Sequence, residues 1–160
     1  MIREIDNSDF KIALHVVNDA ASAYKGIIPS DCWKEPYMSE QEFMEEAVQG
    51  VRFYGYFEDG LLLGVMGIQQ SKDVTLIRHA YVLTGCHRKG IGEKLLKFLI
   101  GMAGTKDILV GTWTDAWWAV RFYEKNGFKS LHSESINALE KYWNIPRRQA
   151  ECSLVLKLIR

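Results

Sequence analysis

One stretch limits the topologies open to this 160-residue chain. A β-rich run, Val74 to Leu83, leads into the basic, glycine-containing turn His87-Arg88-Lys89-Gly90-Ile91-Gly92. Glu93-Lys94-Leu95-Leu96-Lys97-Phe98-Leu99 then continues as a helix to about Ala103, with Leu95, Leu99 and Met102 on one face. Ile108 to Trp113 follows with little polar alternation, the pattern of a strand buried on both faces. A strand–helix–strand crossover makes its two strands run parallel.

Two glycines stand where that helix begins, with basic residues just before them. The first turn of a helix has N–H groups without intrahelical partners and a partial positive charge. Glycine lets a ligand approach the backbone closely. The stretch is therefore a candidate cradle for a phosphate or pyrophosphate, with a plain strand–helix connection as the alternative. Two nucleotide-binding patterns fail here. Gly85 and Gly90 have P-loop spacing, but Ile91-Gly92 follows where Lys-Ser/Thr is required. Gly90-x-Gly92 lacks the third glycine of a dinucleotide fingerprint, Leu95 standing in its place.

Upstream, Ile2 to Ile5 is short and β-like. Asn7 or Ser8 can cap a helix to about Tyr24, with Ile12, Val16, Ala20 and Ala23 at helical spacing and Gly26 and Pro29 ending it. Ile27 to Met38 reads as a loop with several aromatics. Ser39-Glu40-Gln41-Glu42 is a capping box for a helix through Phe43, Ala47 and Val48, closed by Gly50. Val51 to Phe57 and Leu61 to Gln69 flank the hairpin signal Glu58-Asp59-Gly60. With Val74 to Leu83 they form an antiparallel meander. Downstream, Ala116 to Asn126 reads as a helix ended by Gly127, and Phe128 to His132 as a strand. A helical turn near Leu139 to Trp143 is broken by Pro146, and Cys152 to Ile159 is the final strand. The order predicts one α/β domain over residues 1–160, with a mixed, mostly antiparallel central sheet of about seven strands flanked by helices.

Composition narrows the function. Hydrophobic residues are 48% and charged residues 25%, as in ordinary globular proteins. The 20 basic and 20 acidic side chains cancel, which argues against bulk nucleic-acid binding. The N-terminus shows no apolar leader region, and no apolar run reaches the roughly 20 residues of a membrane span. Cys32, Cys86 and Cys152 form neither a CxxC pair nor a Cys/His cluster at zinc spacing, so no metal is expected. An odd count without a leader reads as reduced thiols in the cytoplasm.

A second motif lies in the next helix: Ala119-Val120-Arg121-Phe122-Tyr123-Glu124-Lys125-Asn126-Gly127-Phe128. By itself it is an amphipathic helix with Phe122 buried and Gly127 as its C-cap. A parallel strand separates the two helices, so both N-termini point to the same edge of the sheet. A ligand held by the first helix can therefore touch the second. Together the two stretches resemble the signature motifs of the GNAT superfamily of acetyl-coenzyme-A-dependent N-acetyltransferases. The first is similar to the (Gln/Arg)-x-x-Gly-x-(Gly/Ala) motif that grips the coenzyme A pyrophosphate. Ala80-Tyr81-Val82 is similar to the Leu-Tyr-Val strand end before it, and the second stretch to Ala-x-x-(Phe/Leu)-Tyr-x-x-x-Gly-Phe. The element order agrees along nearly the whole chain.

The resemblance implies acetyl transfer from acetyl-coenzyme A to a small-molecule or peptide primary amine, by direct attack in a ternary complex. It implies that backbone groups of Ala80, Tyr81 and Val82 pair with the pantetheine arm, with the Val82 N–H stabilising the oxyanion. His87, Arg88, Lys89, Gly90, Ile91, Gly92 and Glu93 would ring the pyrophosphate, Ala116 and Ala119 would lie against the coenzyme, and Tyr123 would protonate the departing thiolate. A phenol of pKa about 10 is protonated at neutral pH, and a thiolate of pKa about 8.5 needs only help in leaving. Cys86 beside the turn raises an acyl-enzyme route, ranked below direct attack.

Three positions depart from the family pattern: His87 for Gln or Arg, Thr84 for a common proline, which loosens the loop, and Ala116 for an Asn that contacts the coenzyme. The general base stays open. Gly111 stands where some members carry a Glu, leaving His79, Glu134 or a relayed water. Tyr24, Trp33, Tyr37, Trp113, Trp117, Trp118 and Trp143 are candidates to meet the acceptor, with core or lid packing as the alternative. Glu140 to Gln149 is a candidate far wall. Its Arg147 and Arg148 read as contacts for an acidic group or as a solvated basic turn. Adjacent helix residues face about 100° apart, so one of Trp117 and Trp118 is expected at the cleft or at a subunit interface, which keeps a homodimer open. A non-catalytic coenzyme-A-binding sensor or interaction module on the same fold is the alternative function.

Overall fold

A computed structural model describes the chain from Met1 to Arg160. In chain order the elements are β1 (Ile2–Glu4), α1 (Phe10–Ala21), α2 (Glu40–Val48), β2 (Arg52–Glu58), β3 (Leu61–Ser71), β4 (Val74–Val82), α3 (Ile91–Met102), β5 (Asp107–Trp113), α4 (Trp117–Lys125), β6 (Phe128–Ser130), α5 (Ser135–Tyr142), α6 (Arg147–Glu151) and β7 (Ser153–Leu158). The strands form one seven-stranded sheet in the order β1-β2-β3-β4-β5-β7-β6. β4 and β5 are its one parallel pair; the other pairings are antiparallel. The predicted mixed, mostly antiparallel sheet flanked by helices is the observed one.

Local chemistry explains the elements. The β2–β3 hairpin turns at Asp59 (φ +52°) and Gly60 (φ +79°), the two positive values that suit the right-handed strand twist. α2 opens on the predicted capping box: the Glu42 N–H donates to Ser39 Oγ (3.1 Å), and the Ser39 N–H to Glu42 Oε1 (3.2 Å). Leu95, Leu96 and Leu99 of α3 are fully buried against Met66, Ile77 and Val110 on one face of the sheet. A Cβ at Gly64 would lie 2.8 Å from Ile91 Cγ2, so this glycine lets α3 settle directly onto β3. Ala13, Val16 and Val17 of α1 and Phe43 of α2 pack on the other face against Phe53 and Val65. Leu139 and Ala150, from α5 and α6, cover Leu76, Leu109 and Val155.

The sheet opens between its two parallel strands. β4 and β5 pair only from Val74–Asp107 to Ile77–Val110. Beyond that point β5 stays with β7 as far as Trp113. β4 instead carries a bulge, with His79 and Ala80 facing the single residue Met66 of β3, and His79 at φ +53°. The parallel strands part, and a gap opens at their carboxyl ends.

Three local expectations need correction. Asp6, not Asn7 or Ser8, caps the start of the first helical segment by accepting from the Ser8 N–H (2.8 Å). A 3₁₀ turn precedes α1, and the buried stripe is Ala13, Val16, Val17 and Ala21, leaving Ile12 56% exposed. Pro146 starts a helix rather than only ending one: its carbonyl accepts from the Ala150 N–H (3.1 Å) in α6.

Candidate active site

On the α3–α4 face the gap opens into a cavity of about 550 Å³. The end of β4, the turn, the first residues of α3 and one side of α4 line it, with Ala20 of α1 and Ala23 and Tyr24 of the 3₁₀ turn after α1 closing it. The turn is shaped by the backbone. Gly90 caps α3 in the left-handed region (φ +73°), where a Cβ would touch nothing within 4 Å; glycine is needed there for its φ, not for space. No side chain caps this helix. Its first intrahelical bond is Lys94 N–H to the Gly90 carbonyl (3.0 Å), so the N–H groups of Ile91, Gly92 and Glu93 are left for a ligand. Gly92 sits against α4: a Cβ there would be 3.4 Å from the Phe122 ring.

The end of β4 points the same way. The Leu83 N–H donates to the Leu63 carbonyl of β3 (2.9 Å). Strand alternation therefore turns the Val82 N–H and C=O toward the side from which β5 has withdrawn. His87 Nε2 donates to that Val82 carbonyl (3.1 Å), fastening the turn to the strand. Thr84 does not loosen the loop as expected. Its N–H and Oγ1 both donate to Asp19 Oδ2 of α1 (2.9 and 3.0 Å), which replaces a proline's rigidity with two charge-assisted bonds.

A smaller cavity, about 100 Å³, opens on the opposite face of the sheet. Tyr24, Ala80, Tyr81, Ala119 and Tyr123 line both cavities, so the two meet in the gap. Tyr123 is 5% exposed, and burial pushes its phenol well above the ordinary value. Aromatics build the smaller cavity. Trp113 Nε1 donates to the Tyr37 hydroxyl (2.8 Å), and the Tyr24 and Tyr37 rings lie 5.4 Å apart. Trp143 covers Gly111: a Cβ there would be 3.3 Å from Trp143 Cζ2, so the indole fills the space a side chain at 111 would take. Burial of Tyr24 and Tyr81 raises both phenols, so these hydroxyls stay neutral.

Ala80, Tyr81, Val82, His87, Arg88, Gly90, Ile91, Gly92, Glu93, Ala119 and Tyr123 all line the larger cavity, while His79 lines the smaller. Lys89 and Ala116 line neither: Lys89 is exposed, and Ala116 is fully buried beneath the start of α4. Glu134 is exposed in a turn, where its Oε2 accepts from Asn137 (3.0 Å) away from the gap. Of the adjacent tryptophans, Trp118 stacks on Tyr24 (6.0 Å, 25°) and lines the larger cavity, while Trp117 is 60% exposed. Trp33 lies behind Tyr37 (5.8 Å, 30°). Arg147 and Arg148 are paired within the chain, to Glu140 (2.6 Å) and Asp31 (2.7 Å). Sequence reasoning missed the ion cluster beneath the β4 bulge. Arg78 Nη1 lies 3.1 Å, and His79 Nε2 3.4 Å, from Glu46 Oε2. Nothing in the pattern of α2 or β4 pairs these residues in advance.

Residues 15–139 match the family model described as an acetyltransferase (GNAT) domain, and the chain belongs to that family. No curated protein matches it in sequence. Among solved structures it resembles the PaiA N-acetyltransferase of Thermoplasma acidophilum in complex with coenzyme A. That likeness has a TM-score of 0.73 at 20% identity and covers 100% of this chain and 98% of the other. A GNAT-family acetyltransferase of Staphylococcus aureus Mu50 is similar over 99% of this chain and 97% of its own, with a TM-score of 0.75 and 17% identity. The ribosomal-protein-S18-alanine N-acetyltransferase of Escherichia coli is similar over 99% and 92%, at 0.72 and 17%. At these identities the likeness is one of fold. None of the helices is long and apolar enough to cross a membrane.

Proposed function

We propose that residues 1–160 form one catalytic domain that transfers an acetyl group from acetyl-coenzyme A to a primary amine, by direct attack within a ternary complex. The observation that carries this reading is the gap between β4 and β5, where cavities on opposite faces of the sheet meet at Tyr123. One cavity suits a long anionic carrier. It offers a helix start with unused N–H groups and a strand end whose Val82 N–H faces the gap. The other is narrow and aromatic, and suits the tip of an amine.

Acetyl-coenzyme A supplies the acyl group as a thioester. The N–H groups of Ile91 to Glu93 would hold its pyrophosphate, helped by the partial positive charge of the α3 N-terminus and by Arg88 at the cavity wall. Ala80 to Val82 would align the pantetheine arm along the free side of β4, and the Val82 N–H would polarise the acyl carbonyl. The Tyr123 phenol, kept protonated by burial, would give its proton to the leaving sulfur. His79 would accept the proton the amine must lose. Burial lowers its pKa, so the ring is neutral and has a free lone pair at pH 7.

The test is release of free thiol from acetyl-coenzyme A across a panel of alkylamines, amino-acid amides and short peptides. Turnover of at least one amine, lost in Tyr123→Phe, is the expected result. Binding of coenzyme A with no turnover of any amine would instead make the protein a binding module. A stable acetyl adduct on Cys86, which lines the larger cavity, formed from acetyl-coenzyme A alone, would overturn direct attack.

A further inference from the structure

Beneath the β4 bulge lies a group of charges that the reaction above uses only in part. Arg78, His79 and Glu46 have side chains only 10%, 14% and 22% exposed, and Glu46 reaches them from α2. Arg78 Nη1 also donates to Gln69 Oε1 (3.1 Å). Glu46 Oε2 and His79 Nε2 face each other at 3.4 Å, and both are fully buried without a hydrogen-bond partner. Buried polar atoms left unpaired are rare and costly. For His79 Nε2 the remedy at hand is that carboxylate: Glu46 Oε2, whose 3.1 Å approach to Arg78 Nη1 is an ion pair rather than an aligned hydrogen bond, can accept an Nε2–H from His79 after a small side-chain movement. Nδ1 of the same ring is not walled off in this way, and His79 lines the smaller cavity.

We propose that Glu46 is a positioning residue that fixes His79 as the Nε2–H tautomer, so that Nδ1 presents its lone pair to the amine in the smaller cavity. This rests on His79 being the base. The opposite tautomer would set an Nε2 lone pair against carboxylate lone pairs, a repulsive contact in a place water does not reach. The partner bonded to one ring nitrogen decides what the other can do. When Nδ1 takes the amine proton, the imidazolium formed lies beside the Glu46 carboxylate, which stabilises it. The charged groups acting on the ring are Glu46 of α2 and Arg78 of β4, with Glu42 of α2, paired to Lys34, the weakest influence, while Phe53 of β2 packs at 5.8 Å. Glu46 and Glu42 favour the imidazolium; burial and Arg78 oppose it. The backbone supports the same arrangement. His79 is a non-glycine residue at φ +53°, a conformation that persists only where its surroundings impose it. Here it allows the ring to face α2 from within the bulge.

The first experiment needs no acceptor. Protein labelled with ¹⁵N-histidine reports the His79 tautomer by long-range ¹H–¹⁵N NMR. The expected result is Nε2–H in the wild type and a mixture, or the Nδ1–H form, in Glu46→Gln. An Nδ1–H wild type, or a tautomer unmoved by Glu46→Gln, would overturn the proposal. The second uses the amine found by the thiol-release panel. Glu46→Gln should lower kcat about 10- to 100-fold, a part of the 10²- to 10⁴-fold that a positioned base contributes. It should move the acidic limb of kcat/KM to lower pH and leave the KM for acetyl-coenzyme A within about twofold. In a His79→Gln background it should cost no further kcat; an additive loss would mean that Glu46 only props up the fold. If His79→Gln itself keeps the wild-type rate and pH profile, the base reading falls as well. If His79→Gln is slow and Glu46→Gln is not, only the role of Glu46 falls. Glu46→Asp, which keeps the charge on a shorter arm, guards against a variant that does not fold; it should retain the tautomer with a smaller loss of rate.

Discussion

The two faces of the β4–β5 gap are built by different means. On the α3–α4 face the working groups are backbone: the first turn of α3, the left-handed Gly90 and the free side of β4. On the other face they are side chains brought from distant parts of the chain: Tyr37 from the loop before α2, Trp113 from β5, and Trp143 from the segment after α5. A backbone site needs only the right φ angles and a strand that lacks a partner, and every residue type but proline supplies the donors. A side-chain site depends on particular residues, and it changes completely with a few substitutions. The first kind suits a ligand that does not vary, the second a ligand that does.

That contrast can be broken most directly where the faces meet. Tyr123→Phe removes one hydroxyl from a residue lining both cavities. A general acid contributes about 10²- to 10⁴-fold, so kcat should fall by at least about 10² while coenzyme A affinity, measured by calorimetry, changes little. A large loss of coenzyme A affinity instead would assign Tyr123 to binding. On the backbone face, Gly90→Val should weaken coenzyme A binding about tenfold or more. A β-branched residue at φ +73° carries a strain of about 1–2 kcal/mol, and relaxing it turns the α3 N–H groups away. Gly90→Asn should keep most of the affinity, because Asn tolerates this region. Equal losses in both variants would show that the side chain, not the angle, matters.

Trp143→Ala tests the other face. It uncovers Gly111 and enlarges the smaller cavity. The KM for the acceptor should rise about tenfold, or preference should move to bulkier amines, with coenzyme A affinity unchanged. A matching fall in coenzyme A affinity would mean that the faces are not independent.

The same division governs what the chain betrays in its sequence. The β4–turn–α3 unit was legible because glycine spacing and a strand–helix–strand order leave few topologies. So was the capping box at Ser39–Glu42, a local pattern with a local cause. Helix α6 was missed because Pro146 both stops and starts helices, and only its neighbours decide which. The Glu46–Arg78–His79 cluster was illegible for a deeper reason. The bulge at His79–Ala80 redirects side chains, and no strand alternation read from sequence foresees it. Thr84 was misread because its partner, Asp19, belongs to a helix far back in the chain.

The buried cluster also gives a pH signature. Burial depresses the His79 pKa in the folded protein below its ordinary 6.5. The unfolded chain therefore takes up a proton first, and stability should be full above about pH 6.5 and fall as the pH drops below it. The Glu46 carboxyl is also depressed, because His79 and Arg78 favour its charge against the cost of burial. Its contribution is present above the usual carboxylate range and lost as the pH falls through it. Urea midpoints between pH 7.5 and 5.5 should decline in the wild type and flatten in His79→Gln. A slope that His79→Gln leaves intact would place the titration elsewhere.

The smallest effect belongs to the residue in the turn that departs from the family pattern. His87 reaches the Val82 carbonyl through Nε2 (3.1 Å) from an exposed position. It therefore acts as a fastener between turn and strand, while the anion donors are backbone N–H groups that no substitution at 87 removes. One such neutral bond is worth about 0.5–1.5 kcal/mol, so His87→Ala should weaken coenzyme A binding by roughly two- to tenfold. His87→Gln keeps an amide N–H that can make the same bond, and should stay within about threefold of the wild type. A much larger loss in His87→Gln would mean that the imidazole itself grips the pyrophosphate. The affinity would then gain strength as the pH falls and the ring becomes charged, and the backbone face would owe part of its hold to a side chain after all.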